Sequence, residues 1–170
     1  PAAALMPLTH NRSALLGRID DLVAEPYGFT NGRVGIQWSW YLLSPKWAKV
    51  LPVENQPRLP DPKVSKYAIL MTDGAFNVAF DEVADGLDFR AQENLNWANS
   101  EALCANMRAQ GIEVFTIGFQ LGSAAKQVMR NCASPDKGSQ KFFYDASTGA
   151  ELKEAFRSIA QNIENLALTK

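Results

Sequence analysis

The chain has 170 residues, of which 46% are apolar and 21% charged, enough for one sizeable hydrophobic core and unlike the composition of a disordered or fibrous chain. Lys plus Arg number 17 and Asp plus Glu 18, for a formal charge of -1. That balance provides no bulk field for nucleic acid or an anionic membrane, and no basic run of the usual targeting or nucleic-acid kind interrupts it.

In chain order, Ala2–Pro7 is a short apolar run suited to a buried strand. It lacks the basic flank of a signal peptide, and no stretch of the sequence approaches the length of uncharged apolar residues that spans a bilayer. A mature fragment of an exported or anchored protein has the same appearance. A helix follows, with Leu15, Leu16, Ile19 and Leu22 or Val23 on one face and Thr9 or Asn11 as its cap. Glu25-Pro26 ends it, because a residue before proline avoids the helical region. Tyr27–Gly32 is a turn-rich loop. Val34–Leu43 is apolar and aromatic, and we read it as a helix stopped by Ser44-Pro45. Five prolines between Pro45 and Lys63 mark a long surface connection.

Lys66–Met71 is the clearest strand, almost continuously apolar, as in a parallel strand covered on both faces. Thr72-Asp73-Gly74 stops it abruptly. Ala79–Asn96 reads as polar and irregular. Ala98–Gln110 reads as a helix closed by Gly111, Ile112–Phe119 as the next strand, and Ser123–Asn131 as a short helix capped by Ser123. Lys141–Tyr144 is a further strand. Glu151–Leu166 is a final helix, with Leu152, Ala155, Phe156, Ile159 and Ile163 on one side. Alternation of helices with apolar strands predicts an α/β fold: a mostly parallel sheet flanked by helices. The strand 67–71 should lie parallel beside 112–119, with 142–144 beyond.

In such sheets ligands sit beyond the carboxyl ends of the strands. Asp73 is expected there, where a carboxylate suits a hard cation such as Mg²⁺; the alternative is a cap on the following turn. Thr30 offers a hydroxyl from the Gly28–Gly32 loop, or is a plain loop threonine. Other chemistry finds little support. His10 is the single histidine, which excludes a His-based zinc cluster, and we expect it in solvent ahead of a helix. No phosphate-binding or dinucleotide-binding glycine motif is present. Gly118 and Gly122 read as turn residues. Trp38, Trp40, Trp47 and Trp97 fit core packing or cover for the long connection better than sugar or base stacking.

Lys66-Tyr-Ala-Ile-Leu-Met-Thr-Asp-Gly-Ala-Phe-Asn77 resembles the fourth-strand signature of von Willebrand factor A domains. Gly28-Phe-Thr30 and the Trp38–Pro45 segment resemble that family's threonine loop and the helix after it. Closer still is the C-terminal domain of TadG-like proteins of bacterial tight-adherence (Flp) pilus systems. That match adds Leu8-Thr9, Leu70–Asn77, Ala109–Phe119, Asn131–Ser134, Phe142–Asp145 and Glu151–Ala160, and so covers nearly the whole chain.

The resemblance implies a Rossmann-like von Willebrand factor A architecture and a metal-ion-dependent adhesion site built from three loops. Thr30 matches the threonine of the second loop and Asp73 the aspartate of the third. Mg²⁺ or another divalent cation is the implied cofactor, and an acidic side chain of a partner completes its coordination. The first loop carries Asp-x-Ser-x-Ser, which occurs nowhere in these residues. Residues 1–170 therefore read as a single partial domain lacking the first strands, with the site complete only in the intact parent.

The implied function is non-catalytic: protein binding in pilus assembly or surface adhesion, with envelope or pilus-assembly proteins as partners and no nucleic acid. The implied location is periplasmic or at the cell surface, with the parent anchored in the inner membrane. A metal-binding accessory domain of an enzyme complex is the alternative. Outside the cytoplasm oxidation is permitted, so we expect Cys104 and Cys132, the two cysteines, to form a disulfide between neighbouring crossover helices; the alternative is a pair of buried thiols.

Overall fold

The computed structural model describes residues 5–22, 31–74, 76 and 89–168. Helices α1 (Arg12–Asp20) and α2 (Gly32–Leu43) come first. Two 3₁₀ turns, Pro45–Val50 and Val53–Asn55, lead to β1 (Lys66–Thr72). Helix α3 (Phe89–Ala109), β2 (Ile112–Phe119), α4 (Ser123–Cys132), β3 (Phe143–Ala146) and α5 (Gly149–Leu168) complete the order.

The three strands form one all-parallel sheet in the order β1-β2-β3. Lys66 pairs with Ile112 and Thr72 with Gly118, while Thr116 pairs with Phe143. Strands that return in the same direction need long crossovers, and α3 and α4 supply them.

The alternation of side chains along each strand divides the core in two. Ala68, Leu70, Ile112 and Val114 face Ile36 of α2, Met107 of α3, and Val128 and Met129 of α4. On the opposite face Phe115, Ile117 and Phe142 pack against Ala155 and Ile159 of α5. Helix α5 lies over the β2 and β3 side, and Ile69 and Met71 of β1 remain 44% and 47% exposed. Among the described residues no strand pairs with the outer edge of β1. The architecture is thus α/β, with a parallel sheet between helices, as its sequence pattern predicts.

Several local expectations are revised. Residues 5–7 belong to no strand, and residues 1–4 of the run 2–7 lie outside the described set. An apolar run becomes a strand only with neighbours to pair with. Helix α1 forms with Asn11 as cap, its Oδ1 accepting from the Ala14 amide at 3.0 Å, but Leu15, Leu16 and Ile19 stay exposed. Helix α3 starts at Phe89, nine residues before the expected Ala98, and takes in the end of the polar stretch. Gly122, not Ser123, holds the cap position of α4, with no side-chain cap.

Strand β3 runs from Phe143, two residues beyond the expected start at Lys141. The Asp136 carboxylate explains this: it takes the Phe142 amide at 3.1 Å and the Lys141 ammonium at 2.6 Å, which holds both residues in a turn before the strand. The Lys141 hydrogen bond, with a further contribution from the Phe142 amide, keeps the Asp136 carboxyl below its ordinary value against a modest burial cost.

The expected disulfide is present. Cys104 and Cys132 are fully buried and bonded, with Cα atoms 5.0 Å apart, tying α3 to the end of α4. Arg108 reinforces that junction by donating from Nη1 to the carbonyls of Asn131 (3.0 Å) and Cys132 (2.6 Å). Among the described residues no helix is long and apolar enough to cross a membrane.

Candidate functional site

The parallel sheet directs the carboxyl ends of all three strands to one side, and Asp73 follows directly on Thr72, the last residue of β1. The turn is closed locally. Thr72 Oγ1 accepts from the Gly74 amide and donates to the Gly74 carbonyl, both at 3.2 Å. With that hydroxyl engaged, Asp73 is left exposed, and its carboxylate makes no hydrogen bond or ion pair among the described residues. The turn-capping alternative for Asp73 therefore falls to Thr72 instead.

Thr30 lies outside the described residues, but the chain directly after it is well defined. Asn31 caps α2, its Oδ1 accepting from the Val34 amide at 3.3 Å. Asn96 of α3, fully buried, binds this helix start: its Oδ1 accepts from the Arg33 amide at 3.2 Å and its Nδ2 donates to Asn31 Oδ1 at 3.4 Å. Ser100 donates to the same Asn96 oxygen at 3.2 Å. Buried polar groups need such partners, and here they fix the first turn of α2 against α3.

Gly32 then meets the other loop. The ring of Phe76, three residues beyond Asp73, lies so close to the Gly32 backbone that any Cβ there would overlap it. The chain two residues after Thr30 and the chain three residues after Asp73 are thus in contact. A small cavity of about 220 Å³ lies beside this junction, bounded by Ile36, Leu70, Thr72 and Phe76. No sequence signal linked Gly32 with Phe76; Gly32 had only been read as a loop residue.

This contact has a measurable consequence. Gly32→Ala should destabilise the protein by about 1–3 kcal/mol, the usual cost of overpacking. Gly35→Ala, on the same helix, meets nothing within 4 Å. It should stabilise by about 0.5–1 kcal/mol through helix propensity. Paired denaturant titrations check this, and a Gly32→Ala protein as stable as the wild type would show that the two loops are not in contact.

At the same end of the sheet, Gln120 adopts a left-handed conformation (φ 54°) after β2. Its amide donates to the Ala146 carbonyl at 2.8 Å and its Nε2 to the Ser147 carbonyl at 3.1 Å, which binds the turns after β2 and β3 together. Among the described residues no group of three or more His, Cys, Asp or Glu gathers as a metal cluster. The exposed Asp73 carboxylate is the kind of oxygen donor that a hard cation takes.

The remaining candidates fall to structural roles. His10 is exposed just before α1. Trp47 and Tyr41 stack at 3.8 Å, and Trp38 packs edge-on against Tyr41 at 5.5 Å, so these rings cover the start of the proline-rich connection. Trp40 donates to Gln110 Oε1 at 3.0 Å, and Trp97 packs against the α3 core.

These features define an α/β parallel-sheet domain with an acidic loop at the carboxyl end of its first described strand. No family model matches the chain, and no curated protein matches it. Among solved structures it is similar to proximal thread matrix protein 1 from the mussel byssus, with 20% identity and a TM-score of 0.51. The match covers 82% of this chain and 28% of that one, so the chain corresponds to less than a third of the matrix protein's length. Similarity at that level concerns the fold alone.

Proposed function

We propose that this chain is a non-catalytic protein-binding domain of an envelope protein, von Willebrand factor A-like and closest to the TadG-like proteins of tight-adherence pilus systems. Its parent uses a metal-dependent adhesion site in pilus assembly or surface adhesion. The observation that carries this reading is Asp73: an exposed, unengaged carboxylate at the carboxyl end of β1, three residues before the Phe76 ring that meets Gly32 at the start of α2. Thr30 and Asp73 would hold Mg²⁺ or a similar divalent cation. The ion would present an electrophilic position to an acidic side chain of a partner, and this chain's residues would only bind and orient it. The buried disulfide suits an oxidising, extracytoplasmic compartment.

One carboxylate and one hydroxyl leave most of an octahedral shell to water. The serine loop of the resembled family would therefore come from a further segment of the parent or from another chain. Calorimetric titration of Mg²⁺ tests this. Weak or undetectable binding is expected for residues 1–170, with binding at least about tenfold tighter in a longer protein that carries the serine loop, and lost in its Asp73→Ala variant. Equal, undetectable binding by both lengths would remove the adhesion-site mechanism. Tight binding that survives Asp73→Ala would move the metal elsewhere.

A further inference from the structure

A cavity lies at the opposite end of the sheet from Asp73, where β1 and β2 begin. It measures about 680 Å³, within the roughly 300–1,000 Å³ typical of small-molecule sites. Its walls are Leu43 at the end of α2, Pro45 at the start of the first 3₁₀ turn, Pro60 and Val64 of the proline-rich connection, and Ile112 at the start of β2. Among the described residues no aromatic ring lines it.

Its polar groups are unequally satisfied. Asp61 Oδ1 already accepts from the Lys63 amide at 2.7 Å, and Gln110 Oε1 from Trp40. Lys66, the first residue of β1, is half-buried and donates to the Leu43 carbonyl at 2.8 Å. An ammonium carries three donors, and Lys66 has no other hydrogen bond and no carboxylate partner among the described residues. Lys46 adds a second positive charge at the exposed rim. With Asp61 the lining carries two positive charges and one negative, a net of +1.

We propose that this cavity is a binding site for a medium-chain aliphatic carboxylate, its chain against the proline and aliphatic walls and its head group on the Lys66 ammonium. The class of ligand follows from charge and surface. A lone half-buried ammonium is neutralised by one negative charge, whereas a dianion would bring surplus charge against apolar walls. The planar fork of arginine that favours phosphate is absent from the lining. Burial holds the Lys66 ammonium below its ordinary value, in keeping with a cation that has lost water without gaining a counter-ion. This site is independent of Asp73 and of the metal reading.

The test uses octanoate and 1-octanol, of equal chain length and different charge, titrated into isotopically labelled protein and followed by NMR. Octanoate should shift the backbone amides of Val64, Gly111 and Ile112 in a saturable way. It should bind about tenfold more tightly than octanol, the ratio that one charge-assisted hydrogen bond supplies. Lys66→Met keeps an apolar stem and should bring octanoate down to the affinity of octanol. Octanol binding the wild-type protein as tightly as octanoate would overturn the proposal, as would octanoate shifts confined to other surfaces. The two wild-type titrations decide the matter even where Lys66→Met fails to fold.

Discussion

Replacing Cys104 and Cys132 together by alanine should lower the unfolding free energy by about 3–4 kcal/mol and the melting temperature by about 10 °C. The bond closes a loop with a sequence separation of 28, and cross-linking a loop of that length removes a corresponding amount of entropy from the unfolded chain. The loop contains most of the chemistry of one sheet face: the end of α3, all of β2 and all of α4. Both sulfurs are fully buried, so the reduced protein also retains two thiols in an apolar setting without the constraint. Alanine is the better replacement than serine, because a serine hydroxyl there would need a hydrogen-bond partner. Urea titration of the oxidised protein, the reduced protein and the double variant measures the effect, and a thiol assay on the unreduced, unfolded chain should find no free thiol. A loss below about 1 kcal/mol would mean that the Arg108 hydrogen bonds and the α3–α4 packing hold this junction without the bond.

What was legible in the sequence follows the physics of each element. Strand β2 announces itself because a parallel strand covered on both faces must be apolar almost throughout, and Ile112–Phe119 is reproduced to the residue. Strand β1 has the same apolar run, yet among the described residues only the face bearing Ala68 and Leu70 is covered, with Ile69 and Met71 exposed on the other. Helix α5 carries apolar residues at helical spacing against the core, whereas α2 was legible only from its flanks, the glycine-rich loop before it and Ser44-Pro45 after it. Boundaries set by side chains from elsewhere were not legible. Asp136 delays β3, and Asn96 anchors a polar stretch as the early turns of α3 by bonding to α2, more than sixty residues away in sequence.

The same division holds for the candidate sites. Asp73 could be placed at the carboxyl end of β1 from the strand pattern alone. The meeting of the chain after it with the start of α2 could not, because the Gly32–Phe76 contact joins two segments that share no local periodicity. The cavity beside Lys66 was missed because the proline-rich segment read only as a surface connection. One signal was available: a lysine at the head of the most apolar strand in the chain, where a charge needs either solvent or a partner.

Phe115→Ala should cost about 3–5 kcal/mol, the range for removing a fully buried aromatic ring. Phe115 is central to β2 and faces α5; it stacks on Phe142 with ring centroids 4.6 Å apart and leans on Tyr67 of β1 at 6.3 Å. One ring therefore connects β1, β2, the approach to β3 and α5. Its neighbours are the partly buried Tyr67 on one side and the fully buried Phe142 on the other, and the Phe115 ring is itself fully buried, so its removal leaves a cavity in this core. The disulfide belongs to the opposite face, with α2, α3 and α4. If the sheet separates two independent cores, the losses from Phe115→Ala and from removing the disulfide should add to within about 0.5 kcal/mol. Their sum, about 7 kcal/mol, lies within the total stability of an ordinary domain, about 5–15 kcal/mol. The combined variant should therefore be the least stable of the set and the first to lose cooperative unfolding. A coupling above about 1 kcal/mol would mean that strain passes through the sheet, and that β2 transmits changes at the α5 face to the α3–α4 junction.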